Sequence, residues 1–261
     1  MKGLLAGVLL CLPTAALAGA WTQDEGKWQI ITSGIASAAD RTFGDTTPIS
    51  FRRILMQTYF EYGWRDDITL VGSAETASVN VTQDGGAPFH AQDNALSAGA
   101  RWRIDRYLGL SKWGVLSVEA SGRWAGAFNF AISANRDAGG QGGELRVLYG
   151  GNFRLWERNG FFSIELGEEF FAGERPEETP FDITAGLWLG EDHLLLVQSF
   201  NLYAQAGHIP AYPAFNSHKL ELSWVYRWSP TMLFQLSTFL SPAGNNALVE
   251  EGLGLSIWRR F

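Results

Sequence analysis

Apolar and polar residues alternate with a period of two along most of the chain. In residues 217–228, for example, every second position from Leu220 onward is large and apolar, and the positions between are mostly polar or charged. Side chains of a β-strand point alternately to its two faces, so this pattern predicts strands with one apolar face. Twelve segments follow it, at about 27–39, 51–63, 67–82, 95–104, 113–127, 144–155, 161–172, 179–189, 193–205, 217–228, 231–240 and 247–261.

The last ten residues carry the alternation to the end of the sequence. Leu253, Leu255, Ile257 and Phe261 share one face of this predicted strand. The segment resembles the closing strand of Gram-negative outer-membrane β-barrels, whose last residue is typically Phe. Arg259 departs from the usual pattern, which has an apolar or aromatic residue at that position. The resemblance implies that the barrel-assembly machinery recognises this C-terminal strand.

The connections between the predicted strands alternate in length. Those at the end of every second strand are short, and the others tend to be longer and richer in Gly, Pro and charge. Outer-membrane barrels have short periplasmic turns and longer extracellular loops, so this asymmetry fits that architecture. Trp64, Trp113, Trp156 and Trp228 lie at the short-turn end, where an interfacial aromatic girdle is expected.

The N-terminal residues have the features of a secretory signal peptide. Lys2 precedes an apolar run over residues 4–12, and an Ala-x-Ala pattern ends at Ala18. The run is too short to cross a membrane as a helix. We therefore expect a signal peptide at 1–18 and a single domain at 19–261, with cleavage after Ala20 as the second choice. Cys11 is the only cysteine, so the processed chain forms no disulfide.

Composition narrows the fold class further. After the signal there is no run of 18 apolar residues, which argues against membrane helices, and the net charge of -7 without a basic stripe argues against nucleic-acid binding. A soluble β-sandwich would show the same alternation. Nearly every predicted strand, however, has a fully apolar face that needs an apolar solvent. The sequence thus predicts an all-β fold, a transmembrane antiparallel up-and-down β-barrel of about 12 strands, in contact with lipid in the outer membrane of a Gram-negative bacterium.

If the apolar faces meet lipid, the polar faces meet the lumen. Opposite charges on neighbouring strands can pair there and fill the lumen, or they can form rings that select solutes. Twelve strands give a width between that of side-chain-filled barrels and that of open porins, so both interpretations stay open. The candidate lumen-lining residues are Arg53, Glu61, Glu75, Arg101, Arg103, Glu119, Arg123, Arg146, Arg154, Glu165, Glu169, Glu221 and Arg227.

Catalysis is the third hypothesis. Of the four histidines, only His218 is near the outer end of a predicted strand, and the adjacent Ser217 points to the opposite face. The glycine-rich run at 139–143 lacks the Lys-Ser/Thr ending of a phosphate-binding loop, so we expect a flexible loop there.

We predict no enzyme, no catalytic or metal-binding residues and no cofactor. A passive channel or transport component for small solutes is the leading hypothesis, followed by a structural or secretion-linked barrel with a plugged lumen and then by a membrane hydrolase.

Overall fold

The structure, a computed structural model, describes residues 19–44, 48–83, 85–125, 141–173, 175–207 and 213–261. These ranges form twelve strands and one short helix. The elements are β1 (Trp28–Ala39), β2 (Ile49–Arg65), β3 (Ile68–Gln83), β4 (Phe89–Arg103), α1 (Asp105–Leu108), β5 (Val115–Ala125), β6 (Gln141–Leu155), β7 (Arg158–Phe171), β8 (Glu178–Trp188), β9 (His193–Ala204), β10 (Phe215–Ser229), β11 (Met232–Asn245) and β12 (Glu251–Arg260).

The strands close into one antiparallel barrel, which confirms the predicted fold class. Each strand pairs with its neighbours in sequence, and β1 also pairs with β12. In this closing ladder Gln29 is opposite Arg260 and Ile35 is opposite Gly254. Closure leaves no strand edge without a partner. No helix in the described ranges is long and apolar enough to cross a membrane.

Large apolar side chains cover the outside of the barrel. On β12, Leu253 and Leu255 are 62% and 67% exposed, whereas Trp258, which points inward, is 4% exposed. The same contrast holds on β10 between the exposed Leu222 and the buried Val225. An outward face of this kind is costly in water and is typical of strands that contact lipid.

Three strands extend by three or more residues further toward the long loops than the alternation predicts. β4 begins at Phe89 instead of 95, β6 begins at Gln141 instead of 144, and β11 continues to Asn245 through the predicted loop at 241–246. The prediction of a flexible loop over 139–143 is therefore wrong from Gln141 onward. Residues 139–140, the rest of that predicted loop, lie outside the described residues, as does the predicted signal peptide at 1–18.

The extension of β4 was missed because its first residues are polar on the outward face. His90 Nδ1 bonds Asn80 Oδ1 of β3 at 2.9 Å, and Thr76 donates to Asn94 Oδ1 at 2.8 Å. These polar pairs take the outward positions that large apolar residues occupy further along the strand. The apolar alternation that predicts a strand is therefore absent here. His90 was expected in a loop and is in a strand.

The lumen is filled at the short-turn end by two different groups of residues. On one side the strand wall contributes a buried apolar cluster, which consists of Phe161, Leu194, Leu196, Val225, Leu233 and Trp258. On the other side residues 19–26, hereafter the N-terminal segment, enter the barrel ahead of β1. Ala20 in this segment is fully buried, and it packs with Val115 and Leu148 of the wall.

A charge placed on the outward face should destabilise the barrel in lipid. Leu222 lies at the middle of β10 and points outward, so Leu222→Arg is expected to cost about 2–4 kcal/mol of unfolding free energy. Leu108→Arg, in the exposed helix α1, serves as the control and should cost less than about 1 kcal/mol. Denaturant unfolding in lipid vesicles measures both, and equal costs would argue against a lipid-facing surface at Leu222.

Candidate functional site

The lumen contains a charged cavity of about 400 Å³. Its walls come from β2 to β9, and the first residue of the N-terminal segment, Gly19, also lines it. Strand alternation explains the polar lining, since the polar positions of these strands that point inward meet in the cavity. The charged side chains that line it are Arg101, Arg123, Arg146, Glu75, Glu119, Glu144, Glu165, Glu169 and Asp182.

Arg101 organises the short-turn side of this cavity. Its guanidinium group lies 2.8 Å from carboxylate oxygens of both Glu61 and Glu119. It also donates to the Tyr59 hydroxyl at 3.1 Å and to the Trp21 carbonyl at 3.0 Å. Arg101 is 2% exposed and Glu61 is fully buried. Each member is therefore fixed by several bonds, as a buried charge requires.

Arg146 holds a second cluster, across β6, β7 and β8. Its guanidinium nitrogen Nη1 lies 3.0 Å from Asp182 Oδ2 and 3.4 Å from Glu165 Oε2. Its Nε donates to Glu144. One guanidinium group thus contacts three carboxyl groups, so acidic side chains outnumber basic ones in this part of the cavity.

Arg123 belongs to a third charged group of the cavity wall. It lies 3.7 Å from Glu75, which also accepts a 2.7 Å bond from Gln57. The side chains of Arg123 and Glu75 are 30% and 22% exposed. A further interior cavity of about 390 Å³ lies beside this one and is lined by Arg53, Lys219 and Glu221, among others.

Glu250 is the centre of a charged cluster near the long-loop end of the barrel. It pairs with Arg53 at 2.9 Å and with Lys219 at 2.8 Å. Burial alone would raise the pKa of the Glu250 carboxyl, but the two cations lower it below its ordinary value.

The remaining candidates lie at the short-turn end, away from the two cavities. Arg103 pairs with Asp105 of α1 at 2.7 Å, and the Arg227 guanidinium lies 4.4 Å from the centre of the Trp188 ring. Arg154 is exposed, and it donates to the Glu157 carbonyl at 3.5 Å.

Sequence reasoning missed several members of these clusters. Asp182 lies between Phe181 and Ile183 on β8, so the alternation already indicated its inward position. Glu144 was on the polar face of its predicted strand as well. Glu250 gave no such signal, because it follows Val249 and precedes Glu251 at the start of the strand.

His218 points outward, not into the lumen. Its Nδ1 is 2.8 Å from Asn201 Oδ1, and Asn201 donates to Ser199 Oγ at 3.1 Å. Asn201 therefore lies between Ser199 and His218. Within the described ranges no Ser–His hydrogen bond is found at His218, and no group of three or more His, Cys, Asp or Glu has the geometry of a metal site.

Comparison with known proteins identifies the fold. No protein-family model and no curated protein matches the sequence. An outer-membrane channel from Pseudomonas putida F1 superimposes with a TM-score of 0.64 at 10% identity, over 94% of this chain and 99% of that one. The transport unit of the autotransporter AIDA-I from Escherichia coli gives 0.56 at 10% identity, over 98% and 94%. The NanC porin gives 0.54 at 9% identity, over 87% and 98%. The chain thus has the fold of outer-membrane β-barrels, which channels and translocators share.

Removal of Arg101 should leave Glu61 as an unpaired buried charge. We expect Arg101→Met to cost about 3–5 kcal/mol of unfolding free energy and the double variant Arg101→Met/Glu61→Gln to recover much of that loss. Arg154→Met changes an exposed side chain and should stay within about 0.5 kcal/mol. Denaturant unfolding in lipid vesicles gives all three values. A double variant as unstable as the single one would contradict the assigned pair.

Asp105, in α1 outside the strands, should make stability depend on pH. Burial alone would raise its pKa, but hydrogen bonds from Arg103, Ser111 and the Leu116 amide lower it to about 2. Because the folded pKa is below the unfolded value of about 3.9, this stabilisation is present above that value and is lost as the pH falls toward 2. Asp105→Asn should cost on the order of 1–2 kcal/mol at pH 7.

The measurement for Asp105 is the unfolding free energy of both chains between pH 7 and pH 2. The difference between them should shrink below pH 4. A difference that stays constant over this range would show that the carboxylate charge is not the cause.

Proposed function

We propose that this chain is a channel or transport component for small solutes in the outer membrane of a Gram-negative bacterium. The observation that carries the proposal is the charged cavity inside the barrel. Stability alone does not account for these charges, because buried ion pairs are often no more stabilising than well-packed apolar residues. The fold shared with an outer-membrane channel and a porin supports the same proposal.

The charge of the cavity favours cations. Three guanidinium groups and six carboxyl groups line it. Fixed charges along a pore attract ions of the opposite sign and repel those of the same sign. With these carboxyl groups ionised, cations gain the more favourable interior potential.

A plugged structural barrel is the second candidate. It is favoured by the packing of the short-turn end, where the apolar cluster and the N-terminal segment meet. We infer that the channel, in the state described, is closed at this end. For a hydrolase, the geometry offers an oriented His218 without a nucleophile bonded to it.

The partners follow from the two surfaces of the barrel. Outer-membrane lipid would cover the exposed Leu253, Leu255 and Ile257 face of β12 and the matching faces of the other strands. The barrel-assembly machinery would act through the same C-terminal strand, and the cavity would take a small solute.

Planar-bilayer recording tests the proposal. We expect the chain refolded from Lys27, which lacks residues 19–26 of the closed end, to give cation-selective current steps. In that chain Arg123→Ala should increase the preference for cations because it removes a positive charge from the cavity wall. Arg154→Ala is the matched control, since Arg154 is exposed at a turn, and it should leave the selectivity unchanged.

Absence of current in two versions of the chain would contradict the channel. A folded barrel that carries no current at any voltage, both when it begins at Gly19 and when it begins at Lys27, would exclude the channel and leave the plugged scaffold.

A further inference from the structure

We infer that the N-terminal segment, residues 19–26, is a removable plug that closes the short-turn mouth of the barrel. The inference concerns the regulation of the proposed channel, and it rests on the proposed function only for its consequence in conductance. The evidence is the way in which the segment is seated, the shape of the wall beneath it, and its independence from the strand ladder.

The seat uses both polar and apolar contacts. Gln23 donates from its backbone amide to Thr69 Oγ1 at 2.8 Å and from its side chain to Glu61 at 2.5 Å. The Ala20 carbonyl accepts from Ser117 Oγ at 2.5 Å. The Trp21 ring meets Phe161 edge to face, with the ring centres 6.1 Å apart.

These partners all lie on one side of the lumen. Glu61 is on β2, Thr69 on β3, Ser117 on β5 and Phe161 on β7. Most of the buried apolar cluster of the wall lies on the opposite side, on β9 to β12. The segment therefore fills the part of the cross-section that the wall residues leave free.

The wall has glycines where the segment passes. A Cβ at Gly150 would lie 2.7 Å from the Trp21 ring and 3.2 Å from Ala20 Cβ. A Cβ at Gly63 would overlap the Asp24 carbonyl oxygen. Any larger residue at either position would push the segment away, so the wall is shaped to receive it.

The segment does not belong to the sheet. Its backbone bonds to the wall include the one from Gly26 N to the Gly63 carbonyl, at the point where β1 is about to begin. The pairing of β1 with β2 and β12 starts only at Trp28 and Gln29. Withdrawal of the segment thus leaves every ladder of the barrel intact.

Withdrawal would also connect the mouth with the cavity. Gly19 at the tip of the segment lines the cavity, and the Trp21 carbonyl is bonded to Arg101 on the cavity wall. We expect removal of the segment to open the space between β2 and β7 from the short-turn end to these charges.

Thiol accessibility tests the plug without reference to conductance. The only native cysteine is Cys11, so chains that begin at Gly19 carry none. Ser117→Cys puts a thiol directly under the segment, where Ser117 is fully buried. In detergent micelles, its reaction with a charged thiol reagent should be at least ~10-fold faster in a chain that begins at Lys27 than in one that begins at Gly19.

The matched control is Ser223→Cys. Ser223 is 1% exposed on β10, and its hydrogen bonds are to Glu221 and Gln235. Its reaction rate should be the same in both chains. In the chain that begins at Gly19, Gly150→Val should raise the rate at Ser117→Cys as the truncation does, because it fills the place of Trp21.

Each outcome decides the inference. Acceleration at Ser117→Cys alone supports the plug, and conductance that rises with the same truncation supports its role in the channel. Equal rates in the two folded chains overturn the plug, whether or not the barrel conducts. Acceleration without any current would retain the plug and reject the channel, so the two failures are distinct.

Discussion

The closed hydrogen-bonded ladder is the constraint on which the structure depends. A membrane offers no water to satisfy the backbone, so each N–H and C=O in the wall needs a partner in another strand. The pairing of β1 with β12 meets that need by removing both edges. Once the wall is closed, one face of every strand is inside, and wherever that face is polar it brings its charges into the lumen. The charged interior is thus a consequence of closure as much as of function.

The interior resolves this crowding of charge in two ways. Arg101 is surrounded by bonds to Glu61, Glu119 and Tyr59, so little of its charge is free to act on a solute. Arg146 faces three carboxylates, and the acid there exceeds the base. In the first arrangement the cation is held between its partners, whereas in the second three carboxyl groups surround one guanidinium group.

The sequence predicted what depends on local alternation and missed what depends on contacts across the lumen. The faces of β10 and β12 could be read from the chain because lipid and lumen demand opposite side chains. The start of β4 could not, since its outward residues His90, Gln92 and Asn94 are polar. The N-terminal segment has no periodicity, and its place beside Arg101 follows only from the folded wall. Asp182 had a signal in the alternation, but its partner Arg146 is two strands away and cannot be inferred from spacing.

The entry route of residues 19–26 has a consequence for assembly. The segment enters through the same mouth at which β1 begins, and it returns there at Gly26. Residues 19–26 therefore need not be threaded through a finished ring, and they can occupy the mouth after the last strand has closed the barrel. Insertion of the barrel into the membrane and occupation of its mouth can be separate events in time. A newly inserted barrel can then have an empty mouth until residues 19–26 occupy it.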